Sequence, residues 1–427
     1  MSRLLSKLNL RRGTAPMDAG AKWRRIRPEK SPSWISEKAE AHYEAYLSQL
    51  YEPSVLDRMD RHEVERIVGI LLRRDEYKSD KRYDDCCWEP CFDKDSLSYT
   101  LPTVEQSMRE VGHRFRWPDN KRFALCLTHD VDHLCVHPFH ERWRAMWSTY
   151  GSSLRTRARL LASTCWHASK SLLTASRHFP INIWMEAEAA FGFRSTFFFM
   201  SGPTAQPHSR DGMYFLDDPV QFEGALRPVR EVFPNLVDGG WEVGIHGGIA
   251  TALDADLARI ERLRLCDAAR TDVTSGRQHW LTYDIQTTPQ VHEAAGIRVD
   301  SSLGSNLEPI CYRLGTGLPV PMFSVLEDRP VDVLQIPLVM QDNPLLTSVD
   351  GDPMEAASAA IRVLESTAAR GSMATLLFHN DGFEDSASFL TYKEILAAAH
   401  DLGAWGCTAN EVHRWFTQSP EQGFAGR

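Results

Sequence analysis

No apolar run in the 427 residues approaches the roughly 20 needed to span a bilayer. The first dozen residues also lack the continuous apolar core of a secretory leader. The expected location is therefore cytoplasmic. Positive charge is in short supply: 48 Lys and Arg against 57 Asp and Glu give a formal net charge of -9. This argues against a general nucleic-acid binder, whose footprint would be basic. Nine cysteines make an odd number without framework spacing, and Cys86, Cys87 and Cys91 have no second Cys/His cluster to complete a zinc site. Free thiols in a reducing compartment are the plain reading. There is no internal repeat. The apolar and charged fractions, 43% and 25%, are ordinary for a globular protein long enough for one large core or two smaller ones.

Residues 1–30 are rich in Arg and Lys and read as a flexible basic arm. An N-terminal extension follows over 31–120. In it Ile35, Ala39, Tyr43, Tyr46, Leu47 and Leu50 recur at helical steps, as do Val64, Ile67, Val68 and Leu71, with Pro53 between the two helices. The stretch 77–120 is polar, aromatic and irregular, as a wrapping connector would be. From Arg122 short apolar strands alternate with helical segments. Strands are expected over 123–127, 195–200, 242–245, 333–336 and 374–378, with a weaker one at 297–299. Helices are expected over 253–268, 289–295, 354–369 and 391–402. This alternation predicts an α/β fold with a parallel sheet, open or closed into a barrel. A basic, largely helical insertion occupies 140–190. It reads as a solvated face, with a lid, an interaction arm or a helix making peripheral contact with a membrane as the sharper alternatives. Residues 417–427 read as a flexible tail.

The chemistry gathers at strand ends. The stretch Leu125 to His133 reads Leu-Cys-Leu-Thr-His-Asp-Val-Asp-His. Asp130 and Asp132 are two residues apart, so an extended backbone turns both to one side. One carboxylate could then hold a metal while the other handles protons. The strand over 242–245 ends in His246, and that over 374–378 in His379-Asn380-Asp381. In a parallel barrel such ends share one rim. A single histidine after a strand is usually structural; three reactive strand ends are harder to dismiss.

Over 122–408 the chain resembles the polysaccharide deacetylase family, the nodulation-deacetylase homology domain of carbohydrate esterase family four. The likeness is to the branch whose first motif is His-Asp-Val-Asp. It is carried in order by Thr128-His129-Asp130-Val131-Asp132, Ser195-Thr196-Phe197-Phe198-Phe199 and Glu242-Val243-Gly244-Ile245-His246-Gly247. Gly276-Arg277-Gln278-His279-Trp280, Gly296-Ile297-Arg298-Val299-Asp300-Ser301-Ser302-Leu303-Gly304 and Leu376-Leu377-Phe378-His379-Asn380 continue it. The resemblance implies a distorted (β/α) barrel of the seven-stranded deacetylase type over 121–416, and removal of the N-acyl group from an amino sugar in a polysaccharide or glycolipid precursor. It implies a divalent metal, zinc in the first place, and a carbohydrate substrate. It assigns Asp130 as general base, Asp132 and His246 as metal ligands, Arg277 as the group orienting Asp130, and His379 as the acid for the departing amine.

The family's second motif carries a further metal histidine four positions after His246, where this chain has Ala250. Loss of a side chain there removes a ligand outright. His279 is the favoured replacement; His133 turning inward, or water, are the alternatives. Trp280 could stack on a sugar face or serve as a core aromatic. Asp300 is explained as a cap on Ser301-Ser302, and Asp342 is expected to contact substrate. Two other functions compete: a non-catalytic carbohydrate-binding or scaffold protein on the same fold, motivated by Ala250, and an amidase for a non-sugar C–N bond.

Overall fold

A computed structural model describes residues 36–51, 57–74, 76, 101–109, 117–136, 177–203, 208, 210–212 and 214–418, with pieces at 161–162, 164–166 and 168–169. The expected basic arm at 1–30 and most of the 140–190 insertion lie outside the described residues, as do Cys86, Cys87, Cys91 and the last nine residues. Among the described residues, no helix is long and apolar enough to cross a membrane.

The strands are β1 (Phe123–Val131), β2 (Thr196–Phe199), β3 (Pro219–Phe222), β4 (Ala225–Pro228), β5 (Glu242–Gly247), β6 (Ser275–Gln278), β7 (Val299–Asp300), β8 (Val320–Ser324), β9 (Arg329–Gln335), β10 (Met340–Gln341), β11 (Met373–Leu377) and β12 (Ala404–Cys407). Ten of them form one sheet, in the order β10-β11-β1-β2-β5-β6-β7-β9-β8 with β12 on β1. All pairs are parallel except β8 with β9. β8 is an edge strand, and its Pro321 sits beside an irregularity in the β8–β9 register, where a missing N–H is tolerated. β1 is long enough to serve three partners. Its first half pairs with β12, its second half with β2 on the same edge, and β11 runs along the other.

The distorted barrel expected from the resemblance is formed as a curled, mostly parallel sheet, with ten strands where seven were expected. The curl can be read from Arg277 on β6, whose guanidinium is 3.0 Å from Asp130 on β1. These strands are three steps apart in the sheet order, which in a flat sheet would be roughly 14 Å at the usual spacing. The ring is not completed by strand pairing. β10 meets the far side through a loop: the Leu338 amide donates to the Leu303 carbonyl, just after β7.

The two faces of β1 enter different cores. Phe123, Leu125, Leu127 and Val131 pack outward against the barrel helices, including Ile181–Ala189 and Ala387–Asp401. Ala124 and Cys126 point inward and meet Tyr43, Tyr46, Leu50, Ile67 and Leu71. These come from α1 (Glu37–Leu50) and α2 (Arg61–Leu71), both capped by acceptor side chains, Ser36 and Asp60. The N-terminal extension thus fills the inner side of the curled sheet. Tyr46 donates to the Pro319 carbonyl at 2.7 Å, and Glu76 forms a two-pronged ion pair with buried Arg313 at 3.0 Å. Among its described residues, the irregular connector expected over 77–120 includes a helix, α3 (Thr103–Arg109), and a short 3-10 turn at Pro118–Asn120. Its Glu105 is buried and accepts from Gly317 N and Ser372 Oγ.

Candidate active site

β1 runs further than its apolar residues suggest, so Asp130 lies within the strand and Asp132 just past its end. As the two-residue spacing implies, both turn to the inner side: Asp132 Oδ1 lies 3.0 Å and Asp130 Oδ2 3.8 Å from His246 Nε2. His246 is on β5. On the neighbouring strand, β6, Arg277 turns inward and Gln278 outward, and His279, just past the strand end, turns inward again. Gly247 follows His246 because a Cβ there would lie 2.7 Å from Thr251 Oγ1 and 2.8 Å from Gln278 Oε1.

Asp132, His246 and His279 form a triangle of ligand atoms. His246 Nε2 and His279 Nδ1 are 2.9 Å apart, and Asp132 Oδ1 is 3.0 Å from the first and 3.2 Å from the second. The backbone fixes both tautomers. His246 Nδ1 faces the Arg277 carbonyl at 3.0 Å and His279 Nε2 the Arg210 carbonyl at 2.8 Å. A carbonyl only accepts, so each ring proton is committed outward and each remaining lone pair points into the triangle. Asp132 Oδ1 is buried without a hydrogen-bond donor. Two lone pairs and a carboxylate oxygen at such distances repel one another unless a cation lies among them. One carboxylate and two imidazoles, each held by an outer hydrogen bond, fit zinc or a similar divalent ion.

The protonation preferences agree. Burial alone would depress His279, but the Asp132 charge beside it outweighs this and raises it to about 8. For Asp132, burial works against ionisation, yet His279 and His246 hold it well below the usual carboxylate range. Ala250 sits on the short turn Ile249–Ala252 and provides nothing to the triangle. His279 takes the third corner. His133 is not part of it; its carbonyl accepts from Asn380 Nδ2.

Two further pairs flank the triangle. Arg277 is buried and holds Asp130 Oδ1 at 3.0 Å, and it also donates to Thr128 Oγ1, the Ser301 carbonyl and Ser301 Oγ. On the other side, His379 Nδ1 lies 2.8 Å from Asp342 Oδ1, while its backbone amide donates to Asp342 Oδ2 at 2.8 Å. This commits the ring proton at Nδ1 to Asp342 and turns Nε2 inward, 3.7 Å from Asp132 Oδ2. Burial disfavours the charged ring, but Asp342 and Asp132 raise His379 well above its ordinary value. Asp342 therefore orients a histidine instead of reaching substrate, and its side chain is only 3% exposed. Nothing in its sequence surroundings signals this, because its partner comes from a strand end 37 residues later. Asp300 does cap, accepting from Ser302 N and Oγ.

These groups floor a cavity of about 270 Å³ at the C-terminal ends of β1, β5, β6, β10 and β11, also lined by Trp280, Asn306 and Asn343. Trp280 is 39% exposed, so it is not a core residue. It and Leu281 have φ of 58° and 50°, a left-handed pair that costs of order 1–3 kcal/mol per residue. Asn306 Nδ2 donates to the Trp280 carbonyl at 2.9 Å, and Arg210 lies over the indole at 5.1 Å.

No protein-family model matches this chain, and no curated protein sequence matches it. Solved structures do. A Mycobacterium smegmatis protein described as a polysaccharide deacetylase aligns with TM-score 0.45 and 16% identity, over 73% of this chain and 96% of that one. The PuuE allantoinase aligns with TM-score 0.43 and 13% identity over 71% and 93%. A family 4 carbohydrate esterase from Streptomyces lividans, in complex with acetate, aligns with TM-score 0.33 and 12% identity over 71% and 97%. Identities and scores this low leave the activity to be argued from the site itself.

Proposed function

We propose that this protein is a metal-dependent hydrolase that removes the N-acyl group from an amino sugar of a polysaccharide or glycolipid precursor. The observation that carries this reading is the inward-facing triangle of Asp132, His246 and His279, with Asp130 on one flank and His379 on the other. Asp132, His246 and His279 would hold the ion. When bound, a divalent ion there supplies Lewis acidity for the amide carbonyl and lowers the pKa of water towards roughly 7.

The chain's own residues divide the proton work. Arg277 fixes Asp130 Oδ1 and leaves Oδ2 turned to the cavity, where it takes a proton from the attacking water. The oxygen of that water bonds to the acyl carbon. His379, charged and steered by Asp342, gives its Nε2 proton to the sugar nitrogen as the C–N bond breaks. The products are a carboxylate and an amine. Trp280 offers a flat apolar face beside these groups, suited to a pyranose ring.

The scaffold reading drew on Ala250, and His279 at the third corner takes away that motive. A non-sugar amidase would use the same proton transfers, and substrates separate the two. Purified protein loaded with zinc or cobalt should release acetate from N-acetylglucosamine oligomers. Asp130→Asn should lower turnover about 10²–10⁴-fold and retain the metal. Loss of the metal in that variant would exchange the roles of Asp130 and Asp132. A protein that binds no divalent ion, or one that cleaves only non-sugar amides, would overturn the proposal.

A further inference from the structure

His129 lies between Thr128 and Asp130 on β1, yet the reaction above leaves it unused. It points to the opposite side of the strand and is fully buried, stacked on Phe197 with ring centroids 4.5 Å apart. Both ring nitrogens have partners there. Nδ1 is 2.9 Å from the Phe378 carbonyl and Nε2 is 2.8 Å from Glu188 Oε1. Glu188, on the helix Ile181–Ala189, also accepts from Tyr392 Oη at 2.8 Å and from Trp241 Nε1 at 2.6 Å. The carbonyl can only accept, so Nδ1 carries a proton. Nε2 and the Glu188 carboxyl share a hydrogen bond, and Trp241 and Tyr392 hold the carboxyl in place. The result is a buried, hydrogen-bonded His129–Glu188 pair directly behind the strand face that bears Asp130.

The carbonyl it grips belongs to the peptide unit between Phe378 and His379. The N–H of that same unit donates to Asp342 Oδ2 at 2.8 Å, and Asp342 Oδ1 holds the His379 ring. One peptide is thus clamped from outside by the His129 ring and from inside by the Asp342 carboxylate. Hydrogen bonds to ionised groups are about twice as strong as neutral ones, and linked bonds polarise each other. We propose that His129, paired with Glu188, is a positioning residue that fixes the Phe378–His379 peptide from behind the sheet and so sets where His379 meets the leaving nitrogen. This rests on His379 acting as the proton donor.

The double variant His129→Gln/Glu188→Gln replaces both partners together, so neither is left buried without the other. Tyr392→Phe, which deletes one hydrogen bond to Glu188, is a milder second variant. Hydrogen-exchange mass spectrometry on the full chain should show the peptide holding His379 and Asn380 exchanging about tenfold faster in the double variant, and less so in Tyr392→Phe, with β5 and β6 unchanged. With zinc bound and acetylated oligomers as substrate, kcat should fall about tenfold or more at unchanged KM and metal content. Unchanged exchange at His379 overturns the inference. So does faster exchange throughout the barrel, which would make the pair ordinary core. A wild-type chain inactive on every acetylated sugar sinks the deacetylase reading instead, and the exchange comparison still decides whether His129 positions His379.

Discussion

His246 Nε2 and His279 Nδ1 face each other at 2.9 Å, and the ring proton of each is already committed to a backbone carbonyl elsewhere. In the metal-free protein the cation between them is a proton, on His279 raised to about 8. A metal must displace it. Affinity for zinc should therefore fall about tenfold per pH unit below pH 8, with about one proton released on binding. Calorimetry in two buffers of different ionisation enthalpy measures that proton, and an affinity flat across this range would contradict the assignment. The same proton stabilises the metal-free fold. Because the folded value lies above the ordinary 6.5, that contribution is complete below about 6.5 and is lost as pH rises through about 8. His279→Ala should cost more affinity than the roughly 10–100-fold typical of losing an outer-shell partner.

Asp342 sets the working range of His379. Its carboxylate is among the groups that hold the ring well above its ordinary value, so Asp342→Asn should move the alkaline limb of kcat to lower pH. Above that limb the variant should lose about 10²-fold or more, the scale of general acid catalysis. A pH–rate profile identical to wild type would remove Asp342 from this role.

Trp280 tests the sugar reading. Trp280→Ala should raise KM for acetylated oligosaccharides about tenfold and leave kcat nearly unchanged, because a stacked ring contributes equally to ground and transition states. A small acyl amide without a sugar ring should be handled equally well by both proteins.

Arg313 has a side chain only 2% exposed and depends on Glu76 of the N-terminal extension. Glu76→Ala should remove this carboxylate from a buried charge and destabilise the fold by about 3–5 kcal/mol, read from urea unfolding. A change under about 1 kcal/mol would mean that the extension is only loosely attached.

Much of the site was legible because a parallel sheet delivers strand ends to one place. Asp130, Asp132, His246 and His379 each follow or end a short apolar run, Arg277 and His279 came from the motif resemblance alone, and all six meet within the curl. What escaped sequence reading is carried by the backbone or by tertiary pairing. The Arg210 and Arg277 carbonyls that set the histidine tautomers have no side-chain signature. β10 is two residues long and makes sense only against its neighbours, whereas β7, Val299–Asp300, overlaps the weak strand expected at 297–299. β8 carries a proline and is stabilised by pairing with β9 and by α1, which periodicity cannot reveal.

The inner filling of the barrel by α1 and α2 also bears on how the chain reaches this state. Ser36 binds Asp328, and Tyr46 binds the Pro319 carbonyl, across 292 and 273 residues. During synthesis the buried faces of both helices emerge long before β8 and β9 exist. Contacts of such long range make folding slow and expose apolar surface meanwhile. These helices, with Tyr43, Tyr46 and Ile67 uncovered, are then the natural place for a chaperone to bind, and for aggregation to begin when none does.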